Sequence, residues 1–301
     1  TDITIYGNFA PNYSTVIQGD ATALSANLKV WLDASDTANV NLTYNSLGTT
    51  ATGTSGTNTI TVNSNTGLTV GARIRLGGAG SVTAASTLGA DTYTITNIAG
   101  TTITLSTNLT STYTASNNFQ GYDSQQTDKS GLENNATQAV AANKPLWISN
   151  GLNGLGVAQY NGSSSFMTAA NSASLTTANG TPVSIITIAN AFSTAVKQSI
   201  VNKGNYAVAW NYGTGIAGGG GLFARHNNGD ILSSLSVTAN ASQLLTTLYT
   251  GTQDSFYLNG STANTIADNG WQEATSVKSL YIGAAYNNSA SVYTEFFNGT
   301  I

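Results

Sequence analysis

The chain has 301 residues, of which 40% are hydrophobic and only 7% are charged, with a formal net charge of −4. The nine basic residues are scattered singly, which argues against a nucleic-acid partner, because phosphate binding needs clustered Lys and Arg. The absence of cysteine excludes disulfides, thiolate chemistry and Cys-type zinc sites, and no run reaches the ~18 apolar residues of a membrane span.

The polar remainder is mostly Thr, Ser, Asn and Gly, which favour strand faces and tight turns and are poor helix formers. We therefore expect an all-β protein. Residues 1–27 are predicted to be an extended arm that lies on another surface, since Ile3 and Ile5 alternate with polar residues. From Leu28 the apolar pattern sharpens, and residues 28–33 predict a buried strand that ends in a turn at residues 34–36.

Residues 48–120 have a different texture and predict a small β module of four short strands with period-2 alternation. The predicted strands are 59–62, 72–76, 93–96 and 102–105. Residues 97–101 predict a hairpin turn between the last two, and the glycine-rich stretches 53–56 and 77–80 predict flexible loops.

From residue 121 to the end, strand candidates recur every ten or so residues, with turn residues between them. They are residues 156–160, 183–189, 199–203, 206–212, 222–226, 231–237, 244–250, 255–258, 279–283 and 295–301. This spacing is typical of a β-sandwich or jelly roll, and no segment predicts a helix.

A series of short motifs carries a family resemblance. They are residues 30–36 (VWLDASD), 127–131 (TDKSG), 134–138 (NNATQ), 150–154 (NGLNG), 160–166 (YNGSSSF), 200–204 (IVNKG), 256–260 (FYLNG), 280–283 (LYIG) and 297–301 (FNGTI). In this order, the chain resembles the LamG-like (laminin G/pentraxin, concanavalin A-like) jelly rolls of bacteria and phages. The resemblance implies a concanavalin A-like sandwich formed by residues 28–47 and 121–301.

The chain departs from the family pattern in two places. Residues 48–120 stand where the family has a short connection, so we interpret them as an inserted module, similar to small β repeats of phage structural proteins. In the family, the motif at residues 297–301 opens a last long strand. We therefore expect either that the natural polypeptide continues beyond Ile301, or that the arm fills the gap by strand addition.

Catalytic residues are not evident in the sequence. His226 is the only histidine, and without cysteine a catalytic triad or a transition-metal site would rest on it alone. An edge-strand histidine is the simpler interpretation. Glu133, Glu273 and Glu295 are isolated from one another, so no glycosidase carboxylate pair is predicted. We expect a protein that is not an enzyme.

Two kinds of binding site remain candidates. Asp128, Asp123 and Glu133 lie in the region where family members sometimes hold calcium, although Asp128 equally suits a turn in which it accepts backbone N–H bonds. Sugar binding would need exposed aromatic rings that stack on pyranose faces. Four aromatic residues are candidates for this role: Trp271, Trp147, Tyr212 and Tyr286. Of these, Trp271 is predicted to be the best exposed.

The function that the sequence favours is that of a non-enzymatic structural protein of a tailed bacteriophage, as a capsid decoration or tail-fibre component on the virion exterior. Its partners would be other virion proteins or copies of itself in a homo-oligomer, and surface glycans could be a further ligand. The alternative is a carbohydrate-binding lectin domain of a secreted or cell-surface bacterial protein. The fold that the resemblance implies is compatible with both functions.

Overall fold

The structure is a computed structural model that describes residues 28–77, 81–83, 92–178, 180–205, 209–227, 229–261, 264–267, 277–287 and 290–301. The predicted arm at residues 1–27 lies outside this part. Among the described residues there is no α-helix, only three 3-10 turns at Thr37–Asn39, Ala141–Asn143 and Ala173–Leu175. No helix in this part has the length and apolar character that a bilayer crossing needs.

The described residues form 23 strands. In chain order they are β1 (Val40–Gly53), β2 (Thr59–Val62), β3 (Arg73–Leu76), β4 (Ser81–Thr83), β5 (Thr92–Ala99), β6 (Thr102–Leu105), β7 (Tyr113–Gln126), β8 (Ala136–Thr137), β9 (Leu146–Leu152), β10 (Leu155–Asn161), β11 (Met167–Ala169), β12 (Val183–Ala191), β13 (Gln198–Asn205), β14 (Ala209–Ile216), β15 (Gly221–Asn227), β16 (Gly229–Ser236), β17 (Ser242–Tyr249), β18 (Gln253–Leu258), β19 (Asn264–Ala267), β20 (Leu280–Ile282), β21 (Ala285–Asn287), β22 (Val292–Thr294) and β23 (Asn298–Thr300).

Most of these strands form a sandwich of two antiparallel layers. One layer has the order β8-β11-β20-β13-β14-β15-β16. The other has the order β9-β10-β23-β12-β17-β18-β19. Strand β7 pairs with both β8 and β9, so it joins the two layers at one side.

The core lies between the two layers, because alternate side chains of each strand point inward. Tyr160 of the second layer, Ile216 of the first and Phe256 of the second are at most 1% exposed and belong to one cluster. Along β17 the positions alternate between exposed or partly buried and fully buried. The predicted all-β, concanavalin A-like jelly-roll sandwich is therefore confirmed.

Six strands between residues 40 and 126 form a closed barrel, which contains most of the predicted module. Pairing runs β1-β2-β6-β5-β3-β7 and returns to β1. Its interior holds a separate cluster, in which Ile74, Ile95 and Ile103 are fully buried. Closure leaves this small sheet without free edges, which suits a module with so few residues per strand.

The predicted module boundaries fall inside two continuous strands. β1 and β7 are each 14 residues long and pair from Val40↔Gln126 to Gly53↔Tyr113, with three irregularities in register. They therefore run without interruption from the sandwich into the barrel. That residues 48–120 form a separate folding unit from residues 28–47 and 121–301 stays a prediction.

The predicted buried strand at residues 28–33 is wrong. This segment is extended but pairs with no strand, because its hydrogen bonds go to a loop: the Trp31 N–H donates to Asp128 Oδ1 at 2.8 Å, and the Lys129 N–H donates to the Trp31 carbonyl at 2.9 Å. Its side chains are mostly half-buried rather than fully enclosed.

The C-terminal segment is an inner strand of the sandwich. β23 pairs with β10 on one side and β12 on the other, and Ile301 exchanges two backbone hydrogen bonds with Ala158. The register with β12 begins at Asn190, so no described strand lies beside Val183–Ala189 on the edge that faces away from β17. The two expectations for this edge, a continuation of the polypeptide or strand addition by the arm at residues 1–27, therefore stay predictions.

Candidate functional site

Five aromatic side chains gather where the C-terminal hairpin folds onto the first layer of the sandwich. Phe166 precedes β11, Tyr281 lies on β20, Tyr286 on β21, Tyr293 on β22, and Phe296 follows β22. We call these five residues the tyrosine patch.

The strand register explains why the rings meet. β21 and β22 form a two-stranded hairpin in which Tyr286 is directly opposite Tyr293. Their ring centroids are 5.2 Å apart, which is typical of a cross-strand pair. Tyr281 stacks on Tyr286 at 5.7 Å and meets Tyr293 edge-on at 5.8 Å, and Phe166 stacks on Tyr293 at 3.9 Å.

The patch has a buried base and an exposed rim. Phe166 and Tyr281 are 4% and 6% exposed, whereas Tyr286, Tyr293 and Phe296 are half-buried. The Lys278 ammonium lies 5.5 Å from the centroid of the Tyr286 ring, within the range of a cation–π contact. The rim therefore offers aromatic surface with a positive charge beside it.

Two phenols of the patch, those of Tyr281 and Tyr293, stay neutral across the physiological range. Burial raises the pKa of Tyr281 to about 12, with smaller contributions from Tyr293 and Tyr286. Burial also raises the pKa of Tyr293, and Tyr286 adds to the effect. Each neutral hydroxyl can both donate and accept a hydrogen bond, which suits a polar, uncharged partner group.

A buried ionic network holds the base of the hairpin. The Arg225 guanidinium, 0% exposed, donates to Glu295 Oε2 at 2.8 Å and to Asp230 Oδ1 at 2.6 Å. Burial opposes ionisation of Glu295, but the charge of Arg225 and its hydrogen bonds outweigh it and lower the pKa of this carboxyl. Because Ser199 also donates from its hydroxyl to Glu295 at 2.7 Å, the chain between Tyr293 and Phe296 is fixed in place.

Of the three predicted sugar-binding aromatic residues that the structure describes, only Tyr286 lies on this rim. The prediction that Trp147 is an exposed sugar-binding residue is wrong: it is 2% exposed, and its indole Nε1 donates to the Ala34 carbonyl at 3.1 Å, so neither ring face is open. Tyr212 is a second correction, since it is 8% exposed and its hydroxyl donates to the Leu175 carbonyl at 2.9 Å. Trp271 lies outside the described residues.

The other patch residues were missed, although the sequence carries a signal for them. Five aromatic residues fall between positions 281 and 297, in a chain with only 9% aromatics. That local density is a signal for a cluster and covers every patch residue except Phe166, but it does not give the hairpin register that brings the rings together.

The predicted calcium residues do not assemble into a site. Asp128 accepts hydrogen bonds from the backbone N–H groups of Trp31, Ser130 and Asn134, which is the turn-anchoring role left open as the alternative. Asp123 is fully buried elsewhere, and Glu133 is exposed. In the part of the chain that the structure describes, no three His, Cys, Asp or Glu residues lie close enough to hold a metal.

His226 lies on β15, which pairs with β14 and β16, so the predicted edge-strand position is wrong. Its Nε2 is 2.8 Å from Asp254 Oδ2, and both side chains are at most 2% exposed. The cavity beside them, which Tyr249 and Thr247 also line, has a volume of only about 10 Å³. This is room for about one water molecule, so the pair is enclosed in the core and has no space for a substrate.

No protein-family model and no curated protein matches the chain. Among solved structures, it is similar to "Truncated AlyQ with CBM32 and alginate lyase domains", at 12% identity and a TM-score of 0.29, with 87% of this chain and 97% of that chain covered. A likeness at this level carries no argument about activity or ligand.

Proposed function

We propose that this protein is a carbohydrate-binding β-sandwich whose tyrosine patch stacks on a sugar ring. The observation that supports the proposal is the half-exposed pair of Tyr286 and Tyr293, held 5.2 Å apart on a buried aromatic base. Aromatic rings with one face packed and the other open lose little side-chain entropy on binding, and the open ring face can pack against the C–H groups on one face of a pyranose ring.

The chemistry around the patch fits a binding role better than a catalytic one. Two carboxylates below the patch, among the residues that the structure describes, are committed to other partners: Glu295 pairs with Arg225, and Asp230 pairs with Arg225 and Lys197. A hydrolase of glycosides would need two carboxyl groups that flank the scissile bond. The patch offers hydroxyls and ring faces instead.

Glycan-array binding with two matched variants tests the proposal. Tyr286→Ala should lower the affinity for a bound glycan at least tenfold, since the stacking face is lost. Tyr257→Ala is the control, because Tyr257 is also half-buried but lies on β18, in the other layer of the sandwich. Equal losses in both variants, or no loss in Tyr286→Ala, would refute the proposal.

A second candidate function, assembly, is favoured by the outer face of the second layer. Ile186 and Ile188 of β12 are 55% and 38% exposed, and Ile188 is directly opposite Leu244 on β17. Contiguous apolar surface of this kind often marks protein contacts. We propose self-association through this face, as the predicted homo-oligomer and virion component would need.

Light scattering after size-exclusion chromatography tests the assembly role. The Ile186→Lys/Ile188→Lys double variant should elute as a monomer, because two charges would have to be buried at the contact. Val196→Lys is the control, since Val196 is 63% exposed and lies between β12 and β13. A wild-type monomer at all concentrations would exclude this candidate.

A further inference from the structure

The barrel carries an open groove of about 400 Å³ that is lined almost entirely by threonine. Its lining residues come from β1, the turn that follows it, β2 and the start of β7, and they are Thr52, Gly53, Thr54, Thr57, Thr59, Thr61, Thr112, Tyr113 and Thr114. The volume is within the usual range of ligand sites. Among the described residues, no charged side chain lines the groove, so its chemistry is that of hydroxyls and methyls.

The strand register brings the hydroxyls into rows. Thr52 on β1 is directly opposite Thr61 on β2. Thr59 and Thr61 are two residues apart, so both project from the same outer face of β2, at a spacing of about 6.7 Å. Their neighbour Ile60 is 1% exposed and anchors the strand to the barrel core.

Several of these hydroxyls have no protein partner. Within the described residues, the side chains of Thr59, Thr61 and Thr114 make no hydrogen bond, and all three residues are exposed. Each hydroxyl can therefore both donate to and accept from a ligand without breaking a bond in the protein.

The rim of the groove is fixed by hydrogen bonds between the turn after β1 and the segment before β7. The Ser55 N–H donates to Thr112 Oγ1 at 3.1 Å, the Gly56 N–H to the Leu109 carbonyl at 2.9 Å, and the Leu109 N–H to the Thr57 carbonyl at 2.7 Å. A groove held in this way is formed before a ligand arrives, which lowers the entropic cost of binding.

We propose that this threonine groove binds a neutral polysaccharide chain, at a site separate from the tyrosine patch. A polyhydroxylated ligand matches a surface of threonine hydroxyls that both donate and accept, and the threonine methyls would contact the C–H faces of the sugar. The lack of charge around the groove selects against uronic-acid or sulfated chains, which would lose hydration without gaining an ion pair. The site does not depend on the proposed function of the patch.

Affinity electrophoresis of the full chain tests the proposal, with gels that contain dextran, galactomannan or xyloglucan as neutral probes and alginate as the anionic one. The wild type should be retarded by at least one neutral probe. Alginate should not bind in the groove, so the groove substitutions should not change the mobility of the protein in alginate gels. Thr59→Val/Thr61→Val should weaken that retardation about tenfold, because valine keeps the shape and strand preference of threonine but removes two hydroxyls.

Two control variants distinguish the groove from the rest of the barrel surface and from the tyrosine patch. Thr94→Val/Thr96→Val makes the same change on β5, which lies across the barrel from β1, and should leave the retardation unchanged. Tyr286→Ala removes the stacking face of the patch, so the retardation that remains in this background comes from the groove, and adding Thr59→Val/Thr61→Val should weaken it about tenfold. The proposal is overturned if no neutral probe retards the wild type, if the groove variant binds as well as the wild type, or if retardation is lost only in Tyr286→Ala. That last result would support the patch alone.

Discussion

Asp123 is buried at the point where β7 leaves the sandwich, and its environment predicts an unusual dependence of stability on pH. The side chain is 0% exposed, and within the described part of the chain only Gln126 donates to it from a side chain, at 2.6 Å on Oδ2. Its Oδ1 is buried without a hydrogen-bond partner. Burial therefore raises the pKa of this carboxyl from 3.8 to about 7, although the hydrogen bonds from Gln126 and the Gln125 backbone oppose the shift.

The sign of this pH dependence follows from the protonation of Asp123 in the folded and the unfolded chain. Below pH 3.8 the carboxyl is protonated in both, so it contributes no difference in stability. Between pH 3.8 and 7 the unfolded chain ionises while the folded chain stays neutral, which lowers the free energy of unfolding by about 1.4 kcal/mol per pH unit. Above pH 7 the loss levels off, at about 4 kcal/mol.

Asp123→Asn removes the titration and keeps the shape, and its amide oxygen can still accept the Gln126 hydrogen bond. We expect the variant and the wild type to unfold at similar urea concentrations near pH 4, and the variant to be more stable by up to about 4 kcal/mol at pH 8. The measurement is urea unfolding at several pH values, followed by circular dichroism. A difference between the two proteins that does not change with pH, or a variant less stable at pH 8, would refute the reasoning.

Three further expectations concern the ionic network, the barrel and catalysis. Glu295→Gln should lower the free energy of unfolding by about 3 kcal/mol at pH 7, because the buried Arg225 loses one of its two carboxylate partners. The wild type should lose this advantage as the pH drops through the lowered pKa of Glu295. Chemical unfolding at neutral and at acidic pH measures both effects, and equal stability of the two proteins at pH 7 would contradict the expectation. Replacing residues 48–120 with a short Gly-Ser link should leave a cooperatively unfolding sandwich, since Tyr44↔Gly121 and the pairs beyond it remain, and a broad, non-cooperative melt would count against it. No hydrolysis of polysaccharides is expected, as measured by reducing-end release, and turnover that disappears in Glu133→Gln or Glu273→Gln would prove this wrong.

The sequence predicted the strands that carry strong alternation and missed those that do not. Residues 183–189 and 244–250 alternate apolar and polar side chains, and both strands were placed within two residues of their observed ends. β1 and β7 were missed because they are long, polar strands whose burial comes from the barrel and the sandwich in turn, so neither has one continuous apolar face. Residues 28–33 predicted a strand because they are apolar, yet their backbone partners lie in a loop 97 residues away.

The site was harder to predict than the fold. Sequence alone gives no way to tell an exposed aromatic ring from a buried one: Trp147 and Tyr286 both lie on strands, yet Trp147 is buried and Tyr286 is half-buried. The tyrosine patch depends on a hairpin register, and the threonine groove on pairing between β1 and β2. Both pairings join residues that are close in sequence, but the local pattern does not fix their register or show which side chains stay uncovered.

The two 14-residue strands have a mechanical consequence. Each is about 46 Å long at the usual rise per residue, and the same backbone is a wall of the barrel at one end and joins the sandwich at the other. A tensile load along these strands would have to shear their hydrogen-bond ladder along its length, whereas a linker would simply straighten. The barrel is thus joined to the sandwich by two paired strands, and the register irregularity between Ser46 and Thr50 is the place where this ribbon can bend.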